Sequence, residues 1–258
     1  MSASRSVIVT GAGSGIGAAV AKAFVDLGDR VYLADLSPER LAESVEAIGS
    51  DLAVARTLDV TDYEAFCALV ADVVTETGHV DVIVNNAGVW DGAAPVQDTT
   101  PELWNRVIGI NLTGCYHGAK AVTDQMIAQG SGRIINISSI GATRAMPNGL
   151  AYDASKAGIE GMTRRLAFDL APFGITANAI APGAIATNVR STSAEILGDL
   201  IRTDRSFSAR PDLLDIFIPA KRRGDAAELA AAVVFLASDG AAYVNGDVLR
   251  VDGGWAAV

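Results

Sequence analysis

Short apolar runs rich in β-branched residues alternate along the chain with longer segments whose apolar residues recur at helical spacing. Such runs are typical of strands buried on both faces, and the longer segments are typical of helices that cover a sheet. The alternation predicts a doubly wound α/β fold with a mainly parallel sheet of seven strands. We expect strands at residues 6–10, 30–34, 53–58, 81–85, 133–137, 176–180 and 248–251, and helices at residues 18–28, 38–48, 62–77, 101–129, 154–170 and 225–237.

The longest predicted helix, at residues 101–129, contains Gly109 and the polar Asn111 in otherwise apolar surroundings. We expect an interruption of this helix near residues 109–111. A buried amide needs hydrogen-bond partners, and a purely structural role for Asn111 is one interpretation of its position.

Composition limits the possible classes of function. A chain of 258 residues with 50% hydrophobic content can bury one large core, so we predict a single domain over residues 1–258. The net charge of -10 argues against nucleic acid or an anionic membrane surface as a partner. Cys67 and Cys115 have no C-x-x-C spacing and no neighbouring histidine, so we expect neither a disulfide nor a metal site. The first strand is reached by Val7, which leaves no room for a signal peptide and predicts a cytoplasmic protein.

A glycine-rich turn joins the first predicted strand to a helix. Its glycines allow positive φ and a close approach of the backbone to a pyrophosphate, while the helix N-terminus directs free N–H groups at the phosphates. Asp35 ends the second strand, where a carboxylate binds the hydroxyls of a ribose. This combination predicts a dinucleotide site. The turn and the start of its helix consist of Gly11, Ala12, Gly13, Ser14, Gly15, Ile16 and Gly17.

Asp35 also bears on the choice of dinucleotide. A 2′-phosphate about 4 Å from a carboxylate costs up to about 4 kcal/mol at an effective dielectric constant of about 20. The neighbouring Ser14 and Leu36 supply no positive charge to hold a phosphate. The sequence therefore predicts NAD rather than NADP.

Polar and small residues follow four other predicted strands. The carboxyl ends of parallel strands lie at one edge of the sheet, where such folds bind ligands, so we expect these residues to cluster. They are Asp59 and Val60, residues 85–88, Ser139, and Pro182 and Gly183.

Tyr152 and Lys156 stand four residues apart at the start of a helical pattern, so their side chains share one helix face. For tyrosine to act as a base near neutrality, its pKa of about 10 must fall by an amount worth about 4 kcal/mol. One ammonium at about 5 Å supplies about 3 kcal/mol at an effective dielectric constant of about 20. Ser139 follows a strand and is placed to bind a substrate oxygen beside the tyrosine. Chance spacing in a helix is the alternative interpretation.

Taken together, these motifs resemble the short-chain dehydrogenase/reductase family over essentially the whole chain, and the resemblance implies a Rossmann-type fold. It implies that Tyr152 is the acid/base, that Lys156 lowers its pKa and holds the nicotinamide ribose, and that Ser139 orients the substrate oxygen. Asn111 would support a water in the proton relay. The implied contacts to the cofactor include Asp59 and Val60 at the adenine, Asn86, Ala87 and Gly88 beside the adenine ribose, and Ile185 and Thr187, after Pro182 and Gly183, at the carboxamide.

Residues 188–223 correspond to a segment that family members use as a lid over the substrate. Its apolar residues are typical of a site for a medium-sized, partly hydrophobic alcohol or ketone, although packing on the domain is an equal alternative for each. Arg144 and Arg190 are candidates to hold a carboxylate or polyol oxygen. Asp153 departs from the family pattern, because it places a charge beside the catalytic tyrosine. The apolar residues of this segment include Ile196, Leu197, Phe207, Leu213, Leu214, Phe217 and Ile218.

Three functions fit these features. The first is an NAD-dependent dehydrogenase of secondary alcohols, polyols or sugars, which transfers a hydride without a metal. The second is a 3-oxoacyl-thioester reductase of the same family, which would ordinarily use NADPH. The third is a dinucleotide-binding protein without turnover, which the intact catalytic residues argue against. The resemblance and the apolar helices at residues 101–129 and 154–170 predict a homotetramer.

Overall fold

The computed structural model describes residues 4–145, 148–204 and 217–257. Its seven strands form one parallel sheet in the order β3-β2-β1-β4-β5-β6-β7. Each predicted strand is present with ends within two residues of the expected positions, which confirms the doubly wound fold. The strands are β1 (Ser6–Thr10), β2 (Arg30–Asp35), β3 (Ala53–Thr57), β4 (Val82–Asn85), β5 (Gly132–Ile137), β6 (Ile175–Pro182) and β7 (Val248–Val251).

Helices cover both faces of the sheet and form two buried cores. One core joins α1, α2 and α8 to one face, with Phe24, Leu41 and Val233 at its centre. The other joins α3 to α7 to the opposite face. The helices are α1 (Gly15–Asp26), α2 (Pro38–Ile48), α3 (Tyr63–Thr77), α4 (Pro101–Ile108), α5 (Gly114–Gln129), α6 (Leu150–Leu170), α7 (Val189–Leu197) and α8 (Ala226–Leu236).

The expected interruption of the long helix is a π-helical turn, Gly109–Thr113, between α4 and α5. A turn of this kind widens the helix locally, and it places Asn111 in the interior with no exposed surface.

The largest difference between a predicted and an observed helix boundary is at α6. Helix α6 begins at Leu150, four residues before the expected start, so Tyr152 lies in its first turn. Gly149 at the N-cap has no side chain to satisfy the free amides of that turn. Asp91, from the loop after β4, accepts a 2.9 Å hydrogen bond from the backbone N–H of Tyr152 instead. The local sequence contains no capping residue, which is why the pattern placed the start too late.

Helix α7 was not among the predicted helices, and it lies within the segment predicted as a lid. Across the described ranges, no helix is both long and apolar enough to cross a membrane.

Candidate active site

A cleft of about 440 Å³ runs along the carboxyl edge of the sheet. It brings together the residues predicted for catalysis and cofactor binding from distant parts of the chain, except that Gly17 and Asn111 do not line it. The predicted residues in its wall are Gly11, Ser14, Gly15, Ile16, Asp35, Leu36, Asp59, Val60, Asn86, Ala87, Gly88, Ser139, Tyr152, Lys156, Pro182, Gly183, Ile185 and Thr187.

The glycine turn has the conformation that a close backbone approach requires. Gly11 and Gly15 have φ of 63° and 54°, which side chains rarely adopt. A Cβ at Gly17 would lie 2.2 Å from the carbonyl oxygen of Gly11, so this glycine packs α1 against the turn rather than facing the ligand. The N-cap residue Ser14 makes no side-chain cap, which leaves the first amides of α1 for an anion. The turn thus fits the pyrophosphate of a dinucleotide.

Asp35 lies at the end of β2 with its carboxylate held by three donors. Its oxygens accept hydrogen bonds from Gly13 N at 3.1 Å, Ser37 N at 3.0 Å and Arg40 Nη2 at 3.1 Å. Sequence reasoning missed Arg40, although it lies on α2 only five residues after the acid. The carboxylate is therefore fixed in place at the ribose end of the cleft.

The strand ends β1 and β4 are tied together by side chains of the predicted motifs. Asn86 Nδ2 donates to the carbonyl oxygens of Thr10 and Gly11 at 2.9 and 3.2 Å. Thr10 Oγ1 accepts from the backbone N–H groups of Asn86 and Ala87 at 3.0 and 3.1 Å. These bonds fix the floor of the cleft under the glycine turn.

Tyr152, Lys156 and Ser139 meet at the other end of the cleft. Lys156 Nζ lies 5.6 Å from the centre of the Tyr152 ring and donates a 2.8 Å hydrogen bond to the carbonyl oxygen of Ile137. Ser139 Oγ accepts from Gly141 N at 3.1 Å and also hydrogen-bonds the Tyr152 side chain. A phenol, an ammonium and a hydroxyl therefore converge at the end of β5.

The surroundings raise the pKa of Tyr152 to about 12, mainly because burial disfavours the phenolate. The hydrogen bond from Ser139 lowers this pKa, while the charges of Asp153 and Asp91 raise it. Burial lowers the pKa of Lys156 to about 8. The net direction of the Tyr152 pKa is opposite to the lowering that the resemblance implied, and burial is its largest cause. The departure at Asp153 accordingly makes the phenol harder to ionise.

Asn111 lies behind the cleft wall with its side-chain amide satisfied. Its Oδ1 accepts from Val89 N at 2.8 Å, and its Nδ2 donates to Val89 O at 3.0 Å and to Ser155 Oγ at 3.1 Å. Ser155 Oγ in turn donates to the carbonyl oxygen of Tyr152 at 2.7 Å. The amide thus links the π-helical turn to the first turn of α6, which carries Tyr152.

Residues 11–256 match the family described as Enoyl-(Acyl carrier protein) reductase. The 2-(R)-hydroxypropyl-CoM dehydrogenase of Xanthobacter autotrophicus is 38% identical over 99% of this chain and 100% of that protein. The chain belongs to the short-chain dehydrogenase/reductase family. The trans-4-hydroxycyclohexanecarboxylate dehydrogenase of Sinomonas cyclohexanicum is 36% identical over 98% of this chain and 93% of that protein. A crystal structure of levodione reductase matches with a TM-score of 0.89 at 36% identity and 98% coverage of each chain.

As a member of this family, the protein is an oxidoreductase of CH–OH groups that works with a nicotinamide dinucleotide and interconverts a secondary alcohol and a ketone. Among the described residues, no group of three or more His, Cys, Asp or Glu side chains is arranged to hold a metal ion.

Aromatic side chains that sequence reasoning did not select line this dehydrogenase's cleft beside the catalytic residues. Trp90 lies two residues after the motif that ends at Gly88. Trp255 lies after β7 and stacks on Phe217 with ring centres 6.3 Å apart. A large aromatic residue just after a strand-end motif was the available signal for Trp90. The Arg190 guanidinium lies 5.1 Å from the centre of the Trp90 ring, and Arg190 also lines the cleft.

The other predicted contacts in this region divide into three groups. Arg144 is exposed, donates to the carbonyl oxygen of Ala256 and does not line the cleft. Ile196 lines the cleft, whereas Leu197 and Ile218 are buried. Phe207, Leu213 and Leu214 lie outside the described residues.

Proposed function

We propose that this protein oxidises a small to medium-sized secondary alcohol, polyol or sugar with NAD, and reduces the corresponding ketone with NADH. The observation that carries the proposal is the arrangement of one cleft with the Asp35 carboxylate at one end and Ser139, Tyr152 and Lys156 at the other. A single dinucleotide with its ribose at Asp35 spans such a cleft.

Each catalytic side chain has a defined task in the oxidative direction. When bound, the nicotinamide accepts the hydride from the carbinol carbon. Tyr152 Oη takes the hydroxyl proton, and the Ser139 hydroxyl donates a hydrogen bond to the same substrate oxygen, which stabilises its developing charge. Lys156 holds the nicotinamide ribose and, with the positive charge of the oxidised cofactor, opposes the burial that disfavours the phenolate. Asn111 supports a water that carries the proton away.

The remaining contacts hold the two ends of the cofactor. Asp35 accepts hydrogen bonds from the adenosine ribose hydroxyls, and its charge favours NAD over NADP. Asp59 and Val60 contact the adenine, Asn86 to Gly88 flank its ribose, and Ile185 with Thr187 hold the carboxamide.

The substrate occupies the part of the cleft between Tyr152 and α7, and α7 belongs to the lid segment at residues 188–223. Trp90, Ile196 and Trp255 favour a partly apolar substrate. Arg190 is the candidate to bind a carboxylate or polyol oxygen of the substrate.

We also propose that the chain forms a homotetramer in the cytoplasm. Helices α4, α5 and α6 carry exposed aromatic side chains on their outer faces, which is typical of a surface buried between subunits. These are Trp104, Tyr116 and Phe168, the last with 75% of its surface exposed.

The test is a screen for NADH or NADPH appearance over a panel of secondary alcohols, polyols, sugars and hydroxy acids, each run with NAD and with NADP. Reduction of a 3-oxoacyl thioester with NADPH and the affinity for NADH are measured beside it. The expected result is turnover of at least one secondary alcohol with NAD, and its absence in Ser139→Ala. Turnover confined to a 3-oxoacyl thioester with NADPH would instead favour the reductase alternative. Tight NADH binding without turnover of any panel member would favour a binding protein.

A further inference from the structure

The loop after β4 holds the first turn of the catalytic helix α6 from outside. Leu150 N donates to the carbonyl oxygen of Ala94 at 3.0 Å, and Tyr152 N donates to Asp91 Oδ2 at 2.9 Å. The same loop is bound to α7 at Trp90, whose backbone N–H donates a hydrogen bond to Ser193 Oγ at 2.8 Å. A single loop therefore connects the helix that carries the tyrosine to the lid segment.

Asp91 is built into this position rather than lying there by chance. Its side chain is 1% exposed, which is rare for a carboxylate. The backbone N–H groups of Tyr152, Gly149, Ala93 and Asp91 itself face its carboxylate and lower its pKa, although burial, the larger effect, raises that pKa. Among the described residues, the hydrogen bond to Oδ2 comes from Tyr152 N–H, and Oδ1 has no hydrogen-bond partner. Gly92 and Ala93, with φ of 74° and 54°, form the turn that brings these amides to it.

Gly149 leaves the space that the carboxylate occupies. A Cβ at Gly149 would lie 2.2 Å from Asp91 Oδ1 and 2.3 Å from Oδ2, which no structure tolerates without movement. The backbone of Gly149 is extended, with φ of -102°, so its conformation does not itself require glycine. The glycine at this position therefore serves the contact with Asp91.

We propose that Asp91 is a positioning residue for catalysis, which caps α6 from the β4 loop and thereby fixes the Tyr152 side chain at the substrate oxygen. The proposal rests on the proposed function, in which Tyr152 transfers the proton. An acceptor at a helix N-terminus stabilises and orders the first turn, and Tyr152 is the third residue of α6. Disorder in this turn therefore moves the phenol directly.

The negative charge of Asp91 makes Tyr152 harder to ionise and so opposes catalysis. The charge and the hydrogen bond of Asp91 therefore have opposite effects on the reaction. The ionisable groups around Tyr152 in the described chain are Asp91 from the β4 loop and Asp153 and Lys156 from α6 itself. Both carboxylates raise the pKa of the phenol. In this proposal, Asp91 therefore supports catalysis through its hydrogen bond and not through its charge.

Three variants test the proposal. Asp91→Ala removes the cap, and we expect kcat to fall by roughly 10- to 100-fold, the size of effect that a misplacement of about 1 Å produces. NADH affinity and KM should change by less than about threefold, because the cofactor contacts remain. Asp91→Asn keeps an acceptor without the charge. It should keep kcat within about threefold of the wild type, and its oxidation rate should rise at lower pH because the phenol ionises more easily.

Gly149→Ala displaces the carboxylate by steric conflict, so its kcat should fall as far as that of Asp91→Ala. The double variant should be no slower than either single variant, because the methyl group then fills the vacated space and the two changes act on one contact. Hydrogen exchange of the peptide containing residues 148–156 should quicken in both single variants, a readout that needs no turnover.

Asp225→Ala is the matched control, because Asp225 caps the distant helix α8 in a capping box. It should lower stability without changing kcat. The proposal would be overturned if kcat fell by less than threefold in Asp91→Ala. It would also be overturned if kcat fell equally in Asp91→Asn and Asp91→Ala, or if the losses of kcat were additive in the double variant. If Asp91→Ala does not fold, Asp91→Asn and Gly149→Ala decide the question. An active Tyr152→Phe would refute the proposed function instead.

Discussion

The Arg40 guanidinium lies between two carboxylates, with Nη2 3.1 Å from Asp35 Oδ1 and Nη1 2.8 Å from Glu195 Oε2. The ion pair between Arg40 and Glu195 joins α2, beside Asp35, to α7 of the lid segment. Two carboxylates around one guanidinium leave a net negative charge at the ribose end of the cleft, so the arginine is engaged rather than presented to a phosphate.

This arrangement predicts the cofactor preference. Wild type should favour NAD, and Asp35→Ala combined with Leu36→Arg should narrow or reverse the preference, because it removes repulsion, releases Arg40 and adds a second cation. The measurement is kcat/KM with each cofactor. Asp26→Ala, which removes an exposed carboxylate of α1, is the control and should leave the ratio unchanged. Equal efficiency with NAD and NADP in the wild type would contradict the prediction.

Removal of the phenol in Tyr152→Phe should reduce kcat by at least about 100-fold, since acid/base catalysis contributes roughly 10² to 10⁴ in rate. NADH affinity should be nearly unchanged, because the ring stays packed. Lys156→Ala should weaken NADH binding and raise the apparent pKa of the oxidation rate, so that the increase of the rate with pH occurs at higher pH. Rates measured from pH 6 to 10, with NADH affinity in parallel, distinguish the two variants. A Tyr152→Phe enzyme with more than about a tenth of wild-type activity would exclude this catalytic centre.

Lys156 also predicts how stability depends on pH. Its pKa is about 8 in the folded protein, below that of an exposed lysine, so the unfolded chain binds more protons above pH 8. The free energy of unfolding should therefore increase as pH rises from 8 to 10. Between pH 8 and pH 10, the free energy of unfolding should increase by about 2 kcal/mol more in the wild type than in Lys156→Met. This follows because a pKa difference of one corresponds to about 1.4 kcal/mol. Urea unfolding of both proteins at several pH values measures it, and parallel curves would contradict it.

The assembly proposal predicts a tetramer mass in light scattering at micromolar concentration. Phe168→Glu places a charge on the exposed face of α6 and should reduce the mass to that of a dimer or monomer, because a buried unpaired charge is costly. Leu27→Glu is the control, since Leu27 is also exposed, at 59%, but lies at the end of α1. A monomer mass for the wild type would refute the proposal.

The strands and most helices followed from the sequence because a parallel sheet buried on both faces requires continuous apolar runs. The cleft followed because the ligand edge of such a sheet is set by topology, so motifs at strand ends converge without any knowledge of side-chain packing. Val7, Val82 and Ile134 belong to such runs in adjacent strands, and all three are buried in the folded sheet.

The features that the sequence did not predict depend on contacts between distant residues. The cap of α6 comes from Asp91, which precedes Tyr152 by 61 positions, and no local pattern contains that information. The raised pKa of Tyr152 has a similar origin. The sequence shows the charge of Lys156, but the burial that raises the pKa of Tyr152 exists only after folding.

The order in which the strands pair determines when the cofactor site can form during synthesis. Val7 pairs with Val82, so the centre of the sheet waits for the fourth strand. Helix α1, whose N-terminus lies at the glycine turn of the cleft, packs on α8, which begins about 200 residues later in the chain. Long loops must close before these contacts form, which slows folding. The glycine turn therefore gains its full packing only after α8 has been synthesised.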